Sequence, residues 1–232
     1  MSQEIVLALD AMGGDQAPEM VIKGANIARV RHPNLRYMLF GNEAALSPLL
    51  RKYKKLGSIS SVHHAEQTVM SDDKLSVVLR QRRGSGMSLA VEAVGAGDAQ
   101  GVVSAGNTGA LMAFSKIMLK TLPGIDRPAM GSIFPTQRGE SVMLDLGANI
   151  DCTSGHLVQF AIMGEVFART VLGVNQPTVG LLNIGSEEVK GNEVIRRAAS
   201  TLRESAVAIN FHGFIEGDDI AAGTVDVVVT DG

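Results

Sequence analysis

Val102-Val103-Ser104-Ala105-Gly106-Asn107-Thr108-Gly109-Ala110 is a short β-branched run that breaks into a small-residue loop and then opens an apolar stretch, Leu111, Phe114 and Met118, at helical spacing. The outline is strand, loop, helix. Gly106 and Gly109 permit backbone conformations and close approaches that a Cβ blocks, and Asn107 and Thr108 bring polar side chains to the helix start, where free N–H groups favour an anion. The same residues also make an ordinary turn with Thr108 as helix cap. Taken alone the stretch supports both readings, so the choice falls to the rest of the chain.

Working outward, the pattern of an apolar run, a polar loop and an amphipathic helix recurs. Ile5–Leu9 reads as a buried strand followed by the loop Asp10-Ala11-Met12-Gly13-Gly14-Asp15, with Pro18 suited to the first turn of a helix that buries Val21, Ala25 and Ala28. Tyr37–Phe40 precedes a helical segment over 43–56, and a weak strand is predicted near 59–63, where His63 and His64 point to opposite faces. A helix from Asp72 or Asp73 carries Arg80, Arg82 and Arg83, and Ser88 is placed to cap another. Beyond the opening stretch, strands are predicted at 132–134, 141–144, 179–184 and 225–229. Helices are predicted after Ser154, with a stripe of Leu157, Phe160, Ala161, Gly164, Ala168 and Val171, and over 193–203. Continuous apolar strands alternating with helices imply an α/β fold with a mainly parallel sheet covered on both faces. Five polar loops, at 10–15, 104–109, 145–151, 183–192 and 230–232, then fall at the carboxyl ends of strands, where such folds bind ligands.

Composition excludes several classes. The chain has 232 residues, a formal charge of −3, no Trp and two Tyr, so it offers neither the positive field nor the stacking surface of a nucleic-acid binder. No apolar run is long enough to span a bilayer and the first residues do not read as a signal peptide, which predicts a soluble, intracellular protein. The single Cys152 rules out an intrachain disulfide; with His156 four residues on it lacks an orienting third partner for acyl-enzyme chemistry. The 104–109 loop has neither a Walker lysine nor the dinucleotide glycine spacing, which leaves a small anion as its best ligand. Lys190 supplies a positive charge for phosphate or an oxyanion, or is a surface lysine paired with Glu187 or Glu188. Asp10, Asp15, Asp145, Asp151 and Asp231 either hold a metal or accept hydrogen bonds from loop amides, the second being the commoner use of Asp in turns.

Together, Leu9–Asp15 with Pro18, Ser104–Ala110, Gly124–Ala129, Leu144–Asn149 and Leu182–Asn192 resemble, in order and over essentially the whole chain, the bacterial acyl-ACP:phosphate acyltransferases of phospholipid synthesis, the PlsX family. The resemblance implies a Rossmann-like three-layer α/β/α fold related to phosphotransacetylases and isocitrate-dehydrogenase-like enzymes. Residues 1–232 then form a single α/β acyltransferase domain, the N-terminal part of a longer enzyme. It further implies phosphate attack on an acyl-ACP thioester, with no cofactor and no metal, by a cytoplasmic homodimer peripherally associated with the inner face of the cell membrane. The acyl phosphate passes to a membrane glycerol-3-phosphate acyltransferase. On this reading Lys190, Asn107 and Thr108 are catalytic; Ser104, Gly106, Asn107, Thr108, Gly109, Gly147 and Asn149 bind phosphate; Asp10, Gly13, Gly14, Asn183, Glu187 and Asp231 line the substrate pocket; and Arg80, Arg82 and Arg83 meet the acyl carrier protein. Two departures from the family pattern are Gly86, where Ser is usual, and Gly95-Ala96-Gly97 in place of a basic stretch. The alternatives are a short-chain enzyme using acyl-CoA, a non-catalytic phosphate- or carrier-binding fragment and, against the missing dinucleotide fingerprint, a metal-dependent dehydrogenase.

Overall fold

A computed structural model describes residues 4–149, 151–187, 189–205 and 207–231. The fold is α/β and mostly parallel, as the strand–helix alternation predicts, but the strands divide between two sheets instead of one. The chain correspondingly forms two compact units, Met1–Thr121 and Leu122–Gly232. Apolar strands read alike whichever sheet receives them, so the sequence pattern carries no mark of the division.

The first unit runs β1 (Ile5–Asp10), α1 (Glu19–Arg31), β2 (Leu35–Gly41), α2 (Glu43–Lys52), α3 (Lys54–Gly57), β3 (Ser60–His64), α4 (Leu75–Gln81), α5 (Gly86–Ala96), β4 (Gly101–Val103) and α6 (Thr108–Met118). Its sheet is wholly parallel, in the order β3-β2-β1-β4. Side chains alternate across it with the period of two that a strand imposes. Leu7, Leu9, Tyr37 and Leu39 pack with Ile22 and Ala25 of α1, Leu46 of α2 and Leu56 of α3. Val6, Ala8, Met38 and Phe40 pack with Ala90 and Ala93 of α5 on the other face. The helix expected over 43–56 is broken at Tyr53, whose φ of −104° and ψ of 60° leave the helical region. Ser85, not Ser88, caps α5: its hydroxyl accepts the Ser88 N–H at 3.3 Å.

The second unit runs β5 (Gly131–Thr136), β6 (Gly139–Leu144), α7 (Ser154–Phe167) with a π-helical turn at Ala168–Leu172, β7 (Thr178–Leu182), α8 (Glu193–Glu204), β8 (Asn210–Ile215), α9 (Gly217–Ala222) and β9 (Val227–Val229). The sheet order is β5-β6-β9-β7-β8, parallel except for the β5–β6 hairpin. Val142, Leu144, Val179, Leu181, Val227 and Val229 form the apolar face on which α7 and α8 rest through Leu157, Phe160, Ala161, Ala198, Ala199 and Leu202. Thr153, one residue before the expected cap, starts α7 with a reciprocal capping box: its Oγ1 accepts the His156 N–H at 3.3 Å, and its own N–H donates to His156 Nδ1 at 3.1 Å. β8 and α9 were not expected from the sequence. The register of β8 shifts against β7 between Val179 and Gly180, and Gly213 within it takes a φ of +117°, so Asn210–Ile215 lacks a clean strand periodicity.

Candidate active site

In the first unit, β1 leads by α1 to β2 on one side, whereas β4 lies on the other side of β1. The carboxyl ends of β1 and β4 therefore flank the switch point at which open α/β sheets bind ligands. Asp10 ends β1 and Ser104 follows β4, and their side chains meet: Ser104 Oγ donates to Asp10 Oδ2 at 2.7 Å and accepts the Gly106 N–H at 3.0 Å. Asp10 is buried and also accepts the Met12 N–H at 3.3 Å through Oδ1. Burial pushes its carboxyl above the usual carboxylate range, against the lowering effect of hydrogen bonds from Ser104 and from the Met12 and Gly13 amides. Gly13 packs onto this pair so closely that a Cβ there would strike Asp10 Oδ2 and lie 2.7 Å from Ser104 Oγ. Gly14, at a φ of +101°, continues the same tight turn.

Asn107 caps α6. Its Oδ1 accepts the Ala110 N–H at 3.0 Å, while Nδ2 donates to the Ser71 carbonyl at 3.0 Å and so ties the loop before α4 to the start of α6. The cap expected at Thr108 thus sits one residue earlier, and the Asn107 carboxamide is occupied in holding structure. Thr108 and Gly109 are exposed in the first turn, and their N–H groups have no acceptor among the described residues, as the start of a helix leaves them.

In the second unit β6, β9 and β7 are parallel neighbours, which brings the loops that follow Leu144, Val229 and Leu182 to one edge. Asp145 is fully buried and saturated: Oδ1 accepts the Met130 and Ala148 N–H groups at 2.7 and 3.2 Å, and Oδ2 accepts the Asn149 N–H and Nδ2 at 2.7 and 3.0 Å. Asn149, expected at phosphate, is itself buried and gives Nδ2 also to the Pro128 carbonyl at 3.0 Å. Gly147 is exposed at a φ of +96°, a conformation that a side chain rarely adopts. Ile150 and Gly232 lie outside the described residues.

Asn183 pins the next loop from beneath, its Nδ2 reaching the Gly185 carbonyl at 3.0 Å and the Lys190 carbonyl at 3.2 Å. Gly191, at a φ of +85°, lies against the Asn183 carboxamide with no room for a Cβ. Lys190 and Glu187 are exposed, and among the described residues Lys190 forms no ion pair. Pairing with Glu187 is therefore not seen, and Glu188 is outside the described residues. Asp231 is exposed, and its carbonyl accepts from Cys152 Sγ at 3.7 Å. Partial burial, followed by the charges of Asp145 and Asp231, pushes the Cys152 thiol up, and His156 Nδ1 is held in the α7 cap. No nucleophilic Cys–His pair forms.

The three arginines do not act as one patch. Arg82 turns inward to pair with Asp73 at 3.4 Å, and Arg83 Nε donates to the Leu79 carbonyl at 3.3 Å, while Arg80 is exposed. Two structural roles at the site escaped the sequence reading, the Asn107 tether to Ser71 and the packing of Gly86. A Cβ at Gly86 would come 2.7 Å from the Phe40 carbonyl and 3.2 Å from Asp10 Oδ1. The departure from Ser at this position was the available signal.

The fold is that of phosphotransacetylases. The chain superposes on one from Streptococcus pyogenes with a TM-score of 0.71 at 16% identity, covering 98% of this chain and 77% of that one. The EutD phosphotransacetylase from Staphylococcus aureus gives 0.66 at 16% identity over 97% and 77% of the two chains. The family model described as "Fatty acid synthesis protein" matches residues 5–232, and the chain belongs to that family. Curated relatives named "Phosphate acyltransferase" include those of Rhodospirillum centenum, 64% identical over 232 residues, and Paramagnetospirillum magneticum, 56% identical over 232 residues. The chain spans 65% and 66% of the lengths of these two relatives.

Proposed function

We propose that the chain is part of an enzyme that transfers a long-chain acyl group from acyl-ACP to inorganic phosphate for phospholipid synthesis. The observation that carries this reading is the placement of the 104–109 loop at the β1/β4 switch point, with the N–H groups of Thr108 and Gly109 unclaimed at the start of α6. Aligned free N–H groups at a helix N-terminus suit a phosphate oxygen. A thioester is already activated, so the protein has to position two substrates and stabilise the oxyanion. Phosphate oxygen attacks the thioester carbon, a C–O bond forms, and collapse of the tetrahedral intermediate breaks the C–S bond. The carrier leaves as its thiol and acyl phosphate is formed.

In this scheme Ser104, Gly106, Asn107, Thr108 and Gly109 form the phosphate loop, with Asn107 acting through its backbone and its cap. Lys190 neutralises charge on phosphate or on the oxyanion. Asp10, Gly13, Gly14, Gly147, Asn149, Asn183, Glu187 and Asp231 shape the loops that hold substrate. Arg80 and Arg83 are the basic side chains turned to an acidic carrier. The enzyme works as a homodimer at the cytoplasmic face of the membrane, and a membrane glycerol-3-phosphate acyltransferase consumes its product.

The test is phosphate-dependent loss of the acyl-ACP thioester. Lys190→Ala is expected to lower turnover at least about a hundredfold, the scale of removing one oxyanion donor, with the circular dichroism spectrum unchanged. Near-normal turnover removes Lys190 from the mechanism. Charge reversal at Arg80 and Arg83 is expected to raise the KM for acyl-ACP and flatten its salt dependence; an unchanged KM rejects carrier docking there. Preference for acetyl-CoA over acyl-ACP would instead identify a short-chain enzyme. A second reading is favoured by the 65% span of the first relative: the 232-residue chain binds phosphate or carrier without turning over. Turnover by the purified chain rejects it.

A further inference from the structure

We propose that Asp10 is a positioning residue for the phosphate loop, acting through Ser104: its carboxylate accepts the one hydrogen bond that the Ser104 hydroxyl can donate, which turns an Oγ lone pair to the Gly106 N–H and fixes the 104–109 backbone. The inference rests on the phosphate-transfer reading of this loop. The directions of the two hydrogen bonds follow from valence. A backbone N–H only donates, so Ser104 Oγ accepts from Gly106 at 3.0 Å; an ionised carboxylate only accepts, so the Ser104 proton goes to Asp10 Oδ2 at 2.7 Å. Ser104 is left with no proton for phosphate. It is a strut, and the donors offered to an anion are the backbone N–H groups of Thr108 and Gly109.

The surroundings are shaped for this pair. Gly13 closes it from the loop after β1, where a Cβ would strike Asp10 Oδ2 and stand 3.0 Å from Gly106 N. Gly86 closes it from the start of α5, where a Cβ would stand 3.2 Å from Asp10 Oδ1. Asp10 is only 3% exposed and forms no ion pair among the described residues. A buried carboxylate without a cation is a poor device for stability. Its neutral isostere keeps the volume but cannot accept from both Ser104 and the Met12 N–H without turning its own amide toward one of them. Retention of the fold with loss of function is therefore the signature that separates positioning from a structural role.

The experiment compares the parent chain with Asp10→Asn, Ser104→Ala, Ser104→Thr and the Asp10→Asn/Ser104→Ala double variant. Amide hydrogen exchange at Gly106 and the phosphate KM of thioester loss are both measured. Expected are roughly tenfold faster Gly106 exchange and a roughly tenfold higher phosphate KM in Asp10→Asn and in Ser104→Ala, with the double variant no worse than either single one. Ser104→Thr, which keeps the hydroxyl, should keep Gly106 protected, and Asp10→Asn should remain folded, with a cooperative thermal transition at the pH of the assay. Unchanged Gly106 exchange in both single variants, or additive effects in the double variant, overturns the proposal. If the parent shows no phosphate-dependent thioester loss, the transferase reading fails for this chain, and Gly106 exchange alone still decides whether Asp10 holds the loop.

Discussion

Asp10 closes β1 and Asp145 follows β6, each buried at the carboxyl end of a strand in its own unit, and their carboxylates meet different partners. Asp145 meets four N–H donors, two from its own loop backbone, one from Met130 and one from the Asn149 side chain. Asp10 receives one hydroxyl and the Met12 amide at its carboxylate oxygens, and desolvation outweighs them, raising its carboxyl above the ordinary value. A raised folded-state pKa means that the native state holds its proton at a pH where the unfolded chain has lost it. The associated stability is complete below the unfolded carboxylate pKa and is lost as pH rises through the folded one. Asp10→Asn does not titrate, so the stability of the variant relative to the parent should climb in the variant's favour as pH rises through that window. Urea denaturation at a series of pH values checks this, and a flat difference would remove the Asp10 desolvation argument. The sequence showed Asp10 and Asp145 as loop carboxylates but not this contrast, since the number of donors that fold back onto each is set by the turn.

Elements were legible where one periodicity ran without interruption. The stripe from Leu157 to Ala168 and the α8 positions Val194, Ile195, Ala198 and Leu202 fall on the faces expected of them, whereas Val171, expected on the same stripe, is exposed, because the π-helical turn at Ala168–Leu172 breaks the helical period. The helix expected over 43–56 is interrupted at Tyr53, whose backbone leaves the helical region, and β8, given no reading in the sequence, carries a register shift against β7 and Gly213 at positive φ; neither feature leaves a pattern in hydrophobicity. Close approach between elements is equally silent. Gly164 of α7 faces Val227 of β9, and a Cβ there would strike Val227 Cγ1 and lie 3.0 Å from Leu144 Cδ1. Gly164→Val therefore overpacks the contact between helix and sheet, and about 1–3 kcal/mol of stability should be lost, as read from the denaturation midpoint. Gly24→Ala, placed where a Cβ meets nothing within 4 Å, is the control and should be neutral or slightly stabilising. Of the candidate site, the loop at 104–109 and its glycines could be read from residue types at a strand end. The tethers from Asn107 and Asn149 could not, because each side-chain amide donates to a main-chain carbonyl distant in sequence, Ser71 and Pro128.

At the scale of the molecule, two units each carry their own sheet and core, so the five polar loops expected on one edge belong as two loops to the first unit and three to the second. Order along the chain separates the units further. In the first, the last strand to be made, β4, joins the outside of β1; the other three strands can pair before it arrives. In the second, β9 is the last strand in sequence and occupies the middle, between β6 and β7. Until Val227–Val229 emerges during synthesis, the β5–β6 and β7–β8 pairs have no common neighbour and each presents an open edge able to pair with a strand of another molecule. Pulse-labelled hydrogen exchange during refolding should therefore show protection of β1–β2 ahead of β9, with β9 protected together with the amides of β6 and β7 that face it, and protection of β9 ahead of β1–β2 would contradict it. β9 is thus the bolt between the two pairs, and until it slides home the facing edges of β6 and β7 stand open to strands of other molecules.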